Sequence, residues 1–307
     1  MKNPALSGFS GLTRRNFLDS SFKAAAGIAL AGMKPAFAAE EQILDKTFTV
    51  QDVINLVLKE GALAPIKNTV DTLKSGNANQ PVTGIITTMF PTITVIEEAV
   101  KRNANFIIAH EPSFYNHRDD VNLVKNNTVL ARKLQLLEKH KIAIWRFHDY
   151  CHSINPDIIS YGVARKAEWL PYYKAESPVL TIPKVSLKQL VQHLKTTLGI
   201  SNLRIIGDPE QWCERIALLP GAAGGQFQIN AASSEKPDVL VDGEVSEWET
   251  AEYVRDLRLL GGNMALIVLG HAVSEEPGME WFVEWLQPKL PAVKITHIAS
   301  GNPFTWM

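Results

Sequence analysis

Cysteine is scarce. Cys151 and Cys213 are the only two in 307 residues, which excludes a disulfide scaffold and a zinc–thiolate site. One bridge between them in an oxidising compartment stays open. Charge of one sign is scarce too. The formal charge is −1, and five of the 31 basic residues (Lys2, Arg14, Arg15, Lys23, Lys34) fall in positions 1–38 against Asp19 alone. Without that segment 26 basic residues face 31 acidic ones, a net of −5. No basic run remains to grip nucleic acid or an anionic lipid surface. There is no short-period repeat. The glycine-rich turn Pro220-Gly221-Ala222-Ala223-Gly224-Gly225 fits neither Walker nor dinucleotide spacing. It reads as a tight turn, either plain or close to a ligand. The length suits one large or two ordinary domains with a proper core.

What is present begins with an export pattern. Thr13-Arg14-Arg15-Asn16-Phe17-Leu18 resembles the twin-arginine consensus. The apolar stretch from Ala24 to Met33 is broken by glycine and too short to span a bilayer. Ala36-Phe37-Ala38 supplies a small-x-small cleavage site, with Lys34 just ahead of it. Residues 1–38 are therefore expected to be a signal peptide read by the twin-arginine translocase, with the protein periplasmic or otherwise exported and 39–45 a linker.

The mature chain alternates strands and helices. Val50, Val53, Ile54, Val57 and Leu58 lie on one helix face. Residues 82–88 read as a strand, 93–103 as a helix with Thr92 at its N-cap, and 106–111 as a buried strand that Pro112 ends. A helix at 129–140 and a strand at 142–147 follow. The rhythm restarts near residue 176, with strands at 179–182, 203–207, 215–219, 238–244 and 264–269 and helices from Ser186 and over 249–259. The expected fold class is α/β with mixed, largely parallel sheets, in an N-terminal half at 46–175 and a C-terminal half at 176–307.

Three strand ends deliver imidazole or carboxylate. His110-Glu111 closes the strand at 106–111, and such ends face the crevice where α/β sheets bind ligands. His148-Asp149-Tyr150-Cys151-His152 closes the next strand. His271 and Glu275, past the strand at 264–269, stand one turn apart if a helix starts there. Nitrogen and oxygen ligands without thiolate suit iron, manganese or zinc. Cys151 reads as a packed small residue or a ligand rather than a nucleophile.

These segments resemble the NIF3-like family of dinuclear metal-centre proteins. Thr83–Ile86 with Thr92–Ala99 is similar to its first strand and helix, and Asn105–Pro112 to its strand ending in His-His-Pro. Ile142–His152 is similar to its strand ending in His-x-x-x-Asp, and Gly270–Glu275 to its Gly-His-x-x-(Ser/Thr)-Glu. Asn302-Pro303-Phe304 also matches its ending. The resemblance implies two intertwined α/β units, a toroidal homo-hexamer and two divalent metal ions per chain. It implies the ligand set His110, Glu111, His152, His271 and Glu275, with Glu275 as bridging carboxylate. Glu111 stands for the family's second histidine and His152 for its aspartate, so the inventory of three imidazoles and two carboxylates is kept. A shift of register would instead bring in Asp149. Phe90 replaces an acidic residue, and a usual histidine falls near Trp248. The implied function is a metal-dependent hydrolase acting on a small molecule through a metal-activated water. His148, just outside the ligands, serves as orienter, general acid or plain structural histidine. The other reading is a non-catalytic metal-binding or protein-interaction module. A GTP-cyclohydrolase-like activity is attached to some members, but export would separate the chain from that cytoplasmic nucleotide.

Overall fold

Apolar tetrads that recur after every helix build both sheets. In the computed structural model, which describes residues 47–307, β2 (Ile85–Thr88), β3 (Phe106–Ala109) and β4 (Ala143–Arg146) are buried at every position. The signal pattern and the linker lie outside these described residues. Continuous burial means that both faces of the sheet are covered, as parallel pairing through helical crossovers requires. Ile86, Ile107 and Ile144 stand in register across the three parallel strands. The crossovers are α2 (Ile93–Lys101), capped by the Thr92 hydroxyl accepting from Val95 N–H, and α3 (Thr128–Lys139). Before them, α1 (Val50–Glu60) opens with a capping box between Thr49 and Asp52 and buries Val50, Val53, Ile54 and Val57. The stretch at 71–75, polar in composition, forms the short β1 (Leu73–Ser75), antiparallel to β4 at the sheet's edge.

After α4 (Asp149–Ser153) and α5 (Ile158–Lys166) the chain builds a second sheet. Its elements are β5 (Val179–Ser186), α6 (Leu187–Leu198), β6 (Arg204–Ile206), β7 (Trp212–Leu219), α7 (Gly225–Glu235), β8 (Val239–Asp242), α8 (Glu252–Leu259) and β9 (Ala265–Val268). The order is β5-β7-β8-β9-β6, with β7, β8 and β9 parallel and the edges antiparallel. The expected mixed, largely parallel α/β architecture is what forms. Then α9 (His271–Leu286) leads back, and β10 (Ile295–His297) pairs with β2 of the first sheet, giving β1-β4-β3-β2-β10. The last stretch of the chain thus completes the first sheet.

Helices α5 and α9 lie between the two sheets. Ile158 and Ile159 join Met279, Phe282 and Leu286 in the core of the first sheet, while Val163 and Ala164 belong to that of the second. Their axes approach through glycine: a Cβ on Gly162 would stand 2.4 Å from the Cα of Gly278. Any side chain there forces the helices apart. This close pairing fixes the start of α9 against the ends of β3 and β4. Among the described residues no helix is long and apolar enough to cross a membrane.

Candidate metal centre

His110 and Glu111 extend β3 by two more residues: His110 N–H donates to Thr88 O at 3.1 Å and Glu111 N–H to Met89 O at 2.9 Å. Both side chains are buried. His148 caps α4 and His152 stands one turn on, so both rings reach the same crevice. The start of α4 is held from far away. The Asp71 carboxylate accepts the N–H groups of His148 (2.8 Å), Asp149 (3.1 Å) and Tyr150 (2.8 Å), satisfying donors that a helix start leaves free. From the other sheet, Gly270 at φ 103° turns the chain into α9, which presents His271 and then Glu275. The glycine-rich turn lies against this helix. Gly221 N–H donates to Ser274 Oγ at 2.9 Å, and a Cβ on Gly221 would sit 1.8 Å from Glu275 Oε1. Only glycine leaves room for that carboxylate.

The four rings share one arrangement. His110 Nδ1–H donates to Phe147 O at 3.1 Å, and His148 Nδ1 pairs with Asp149 Oδ1 at 3.0 Å. His152 Nδ1 pairs with Asp157 Oδ2 at 2.8 Å and His271 Nδ1 with Glu244 Oε2 at 3.1 Å. An oxygen behind every Nδ1 fixes the tautomer and leaves Nε2 as the outward ligand atom. His271 Nε2 stands 3.1 Å from Glu275 Oε2 and 3.6 Å from Glu111 Oε1. His148 Nε2 stands 3.5 Å from Glu111 Oε1. His110 Nε2 lies 3.6 Å from Glu275 Oε2, beyond hydrogen-bond reach, and is a buried nitrogen with no hydrogen-bond partner. Groups converging like this fit a cation. His110, His148 and His152 bring one ligand atom each within 4.8 Å of the others, and so do His110, Glu111 and Glu275.

Charge follows the same geometry. Burial alone would pull the His271 pKa down, but hydrogen bonds to Glu111, Glu244 and Glu275 push it up to about 12. Burial works against the charged form of Glu275 too, yet His110 and His271 hold it well below the usual carboxylate range. His148 goes the other way: burial, then the neighbouring His110, push it down to about 4. A ring neutral at pH 7 suits a ligand and does not suit a general acid.

The cluster brings together His110, Glu111, His152, His271 and Glu275, and it adds His148. His148, expected just outside the ligands, has its ring among the others, 4.8 Å from His110 and 5.0 Å from His152 by centroids. Asp149 does not enter. Both its oxygens are engaged behind His148, one with that ring and the other with Thr69 Oγ1 and Val70 N–H. Phe90 packs edge-on against His271 at 5.5 Å, shielding the ring. Trp248 is 81% exposed and takes no part in the cluster. Both cysteines are free and buried, and burial raises the Cys151 thiol far above its ordinary value, so neither a bridge nor a nucleophile forms. Sequence reading missed two supports. Arg146, fully buried, donates to His110 O and, through Nη2 at 3.3 Å, to Glu111 Oε2. Glu276 accepts from Met89 N–H, Ser300 N–H and Ser300 Oγ, tying the C-terminal tail to the rim. The cluster opens into a cavity of about 1290 Å³ whose wall includes Phe90, Tyr115, Tyr173 and Phe227.

Residues 61–303 match the family described as Duf34/NIF3 (NGG1p interacting factor 3). A Clostridium acetobutylicum protein named GTP cyclohydrolase 1 type 2 homolog is 25% identical over 243 residues, 75% of this chain and 86% of its own. The fold is also that of a Staphylococcus aureus protein, at TM-score 0.67 and 18% identity, over 85% of this chain and 100% of that one. A Bacillus cereus protein related to NIF3 superposes at TM-score 0.66 with 16% identity, over 86% and 100% of the two chains.

Proposed function

The chain belongs to the Duf34/NIF3 family, and within it we propose that this protein is an exported hydrolase whose six clustered residues hold two divalent ions. The observation that carries this reading is the common orientation of four imidazoles, each with an oxygen behind Nδ1 and Nε2 turned to buried carboxylates. Such ions would supply Lewis-acid activation of water and of the substrate's electrophilic centre. The protein's own part is positioning and charge. His110 offers a single nitrogen, so it would serve one ion. Glu275, with Oε2 3.6 Å from His110 Nε2 and 3.1 Å from His271 Nε2, would be within reach of an ion held by either ring. Burial and the neighbouring His110 keep His148 neutral, so it adds no charge, and Glu111 and Glu275 are the only carboxylates among the six clustered residues. Phe90 packs edge-on against His271, and the cavity has room for a small-molecule substrate.

Elemental analysis of the mature protein should find about two divalent ions per chain, and His271→Ala or Glu275→Ala should each remove at least one. Metal uptake should expel protons, because His271 is protonated at neutral pH in the metal-free protein and a ligand must give that proton up. Apparent affinity should therefore rise with pH, and calorimetry in buffers of different ionisation enthalpy would count the protons. The loaded protein should hydrolyse some member of a panel of esters, phosphoesters and cyclic amides, and a chelator should abolish it. Full metal content in both variants would overturn the site. Metal with no hydrolysis across the panel would leave a metal-binding module.

Delivery outside the cytoplasm rests on the paired arginines and the Ala36-Phe37-Ala38 pattern. Arg14→Lys with Arg15→Lys should leave an uncleaved precursor inside the cell, since a lysine pair lacks the guanidinium geometry. Normal export and cleavage of that variant would refute the reading.

A further inference from the structure

Three cations lie under the loop that follows Glu111, and two of them are matched. Lys74 Nζ stands 3.2 Å from Asp119 Oδ2, and Arg146 reaches both that oxygen, at 3.6 Å, and Glu111. Asp119 is further occupied through Oδ1, which accepts from Ser113 N–H at 2.7 Å and Phe114 N–H at 2.8 Å. The third cation, Lys133, is 4% exposed and projects from α3 beneath the same loop. Its ammonium donates to Ser113 O at 2.7 Å and lies 5.4 Å from the centre of the Tyr115 ring. Among the described residues no carboxylate stands within ion-pair distance of it. A buried ammonium has three donors, and here one carbonyl and one aromatic face are all that answer them. Beside it, Ser113 is 1% exposed and its Oγ has no hydrogen-bond partner. Ser113 and Lys133 both belong to the wall of the cavity that holds the metal ligands.

A buried, unmatched positive charge next to an idle hydroxyl is costly unless something that enters the cavity completes it. Burial works against the charged form of Lys133, with Asp119 giving it partial support, so an arriving anion would strengthen a charge that the protein alone holds poorly. We propose that Lys133 Nζ and Ser113 Oγ form a subsite for an anionic group, carboxylate or phosphate, on the substrate that reacts at the neighbouring metal cluster. This extends the hydrolase reading and rests on it for the word substrate; the anion subsite itself stands on the unmatched lysine and serine. Ser113 is two residues beyond Glu111, so one loop would carry both a metal ligand and the grip on the substrate's charged end. The substrate would then be an ester, phosphoester or amide with an anionic group held apart from the bond to be cut, and neutral analogues would bind less well.

The test is titration of the full mature protein, with its native metal content, with inorganic phosphate and separately with acetate, followed by calorimetry. Lys133→Met should weaken binding of at least one of the two anions by 10-fold or more, and Ser113→Ala by about 3-fold or more, with metal content and melting temperature little changed. The anion whose binding falls identifies the group. Equal binding in wild type and both variants would overturn the proposal, since phosphate held by the metal ions alone does not depend on Lys133. Should Lys133→Met fail to fold, Ser113→Ala decides by itself. A wild type without metal that still binds anion through Lys133 would refute the hydrolase reading and keep the subsite. A metal-loaded wild type indifferent to Lys133 would do the reverse.

Discussion

Arg146→Met should lower unfolding free energy by about 3–5 kcal/mol, the range seen when one partner of a buried ion pair is removed. For a chain of this size the melting temperature should fall by something on the order of 10 °C. The cause is local. Arg146 closes β4 with its side chain fully buried, and its guanidinium donates to His110 O, His117 O and Glu111 while facing Asp119. Methionine fills much of the volume but takes a donor from Glu111 and from two carbonyls and removes the charge that faces Asp119. Urea denaturation of the metal-free protein measures the stability. Metal affinity should fall as well, because Glu111 loses the contact that aims it. A loss under about 1 kcal/mol would mean that solvent or Lys74 takes over those acceptors, and Arg146 would then be a packing residue only.

Arg146 also marks the limit of what the sequence could reveal. His110, Glu111, His271 and Glu275 were legible because each sits where a strand meets a breaker or where a helix spaces two side chains by four. His148 was not legible as a member of the cluster. The helix that places it has five residues, too few for any periodicity to register, and its start is capped by Asp71, which is 77 positions upstream. No local pattern announces such a cap. Arg146 reads as one more residue of a strand, since nothing in its neighbours tells that its charge points inward. The parallel strands could be read from their apolar tetrads, whereas β1 and β10, with three residues each, are strands only because a neighbouring edge accepts them. The glycine turn, read as either plain or close to a ligand, lies against Glu275, and the reason is tertiary: Gly221 is required by a carboxylate that arrives from another element.

The two departures from the family's ligand pattern each carry a matching partner, and this sets the strongest expectation about them. Glu111, where the family has histidine, is gripped by Arg146 at 3.3 Å. His152, where the family has aspartate, is gripped by Asp157 at 2.8 Å. Asp157 is not free to turn away, because its other oxygen caps α5 by accepting from Ser160 N–H at 2.8 Å. Restoring the family's residues should therefore harm the site. Glu111→His sets an imidazole against a buried guanidinium, and His152→Asp sets one carboxylate against another. Each change should cost about 10–100-fold in metal affinity, the usual toll for breaking a ligand's supporting contact. The double variant should be at least as poor as either single one, although it recreates the family's inventory of three imidazoles and two carboxylates. His152→Asp should recover part of its loss when Asp157→Asn is added, since the like charge is removed while the cap to Ser160 is kept. Competition against a metallochromic chelator gives all five affinities. A double variant that binds metal as tightly as the wild type would show that ligand type alone governs the site and that Arg146 and Asp157 are bystanders.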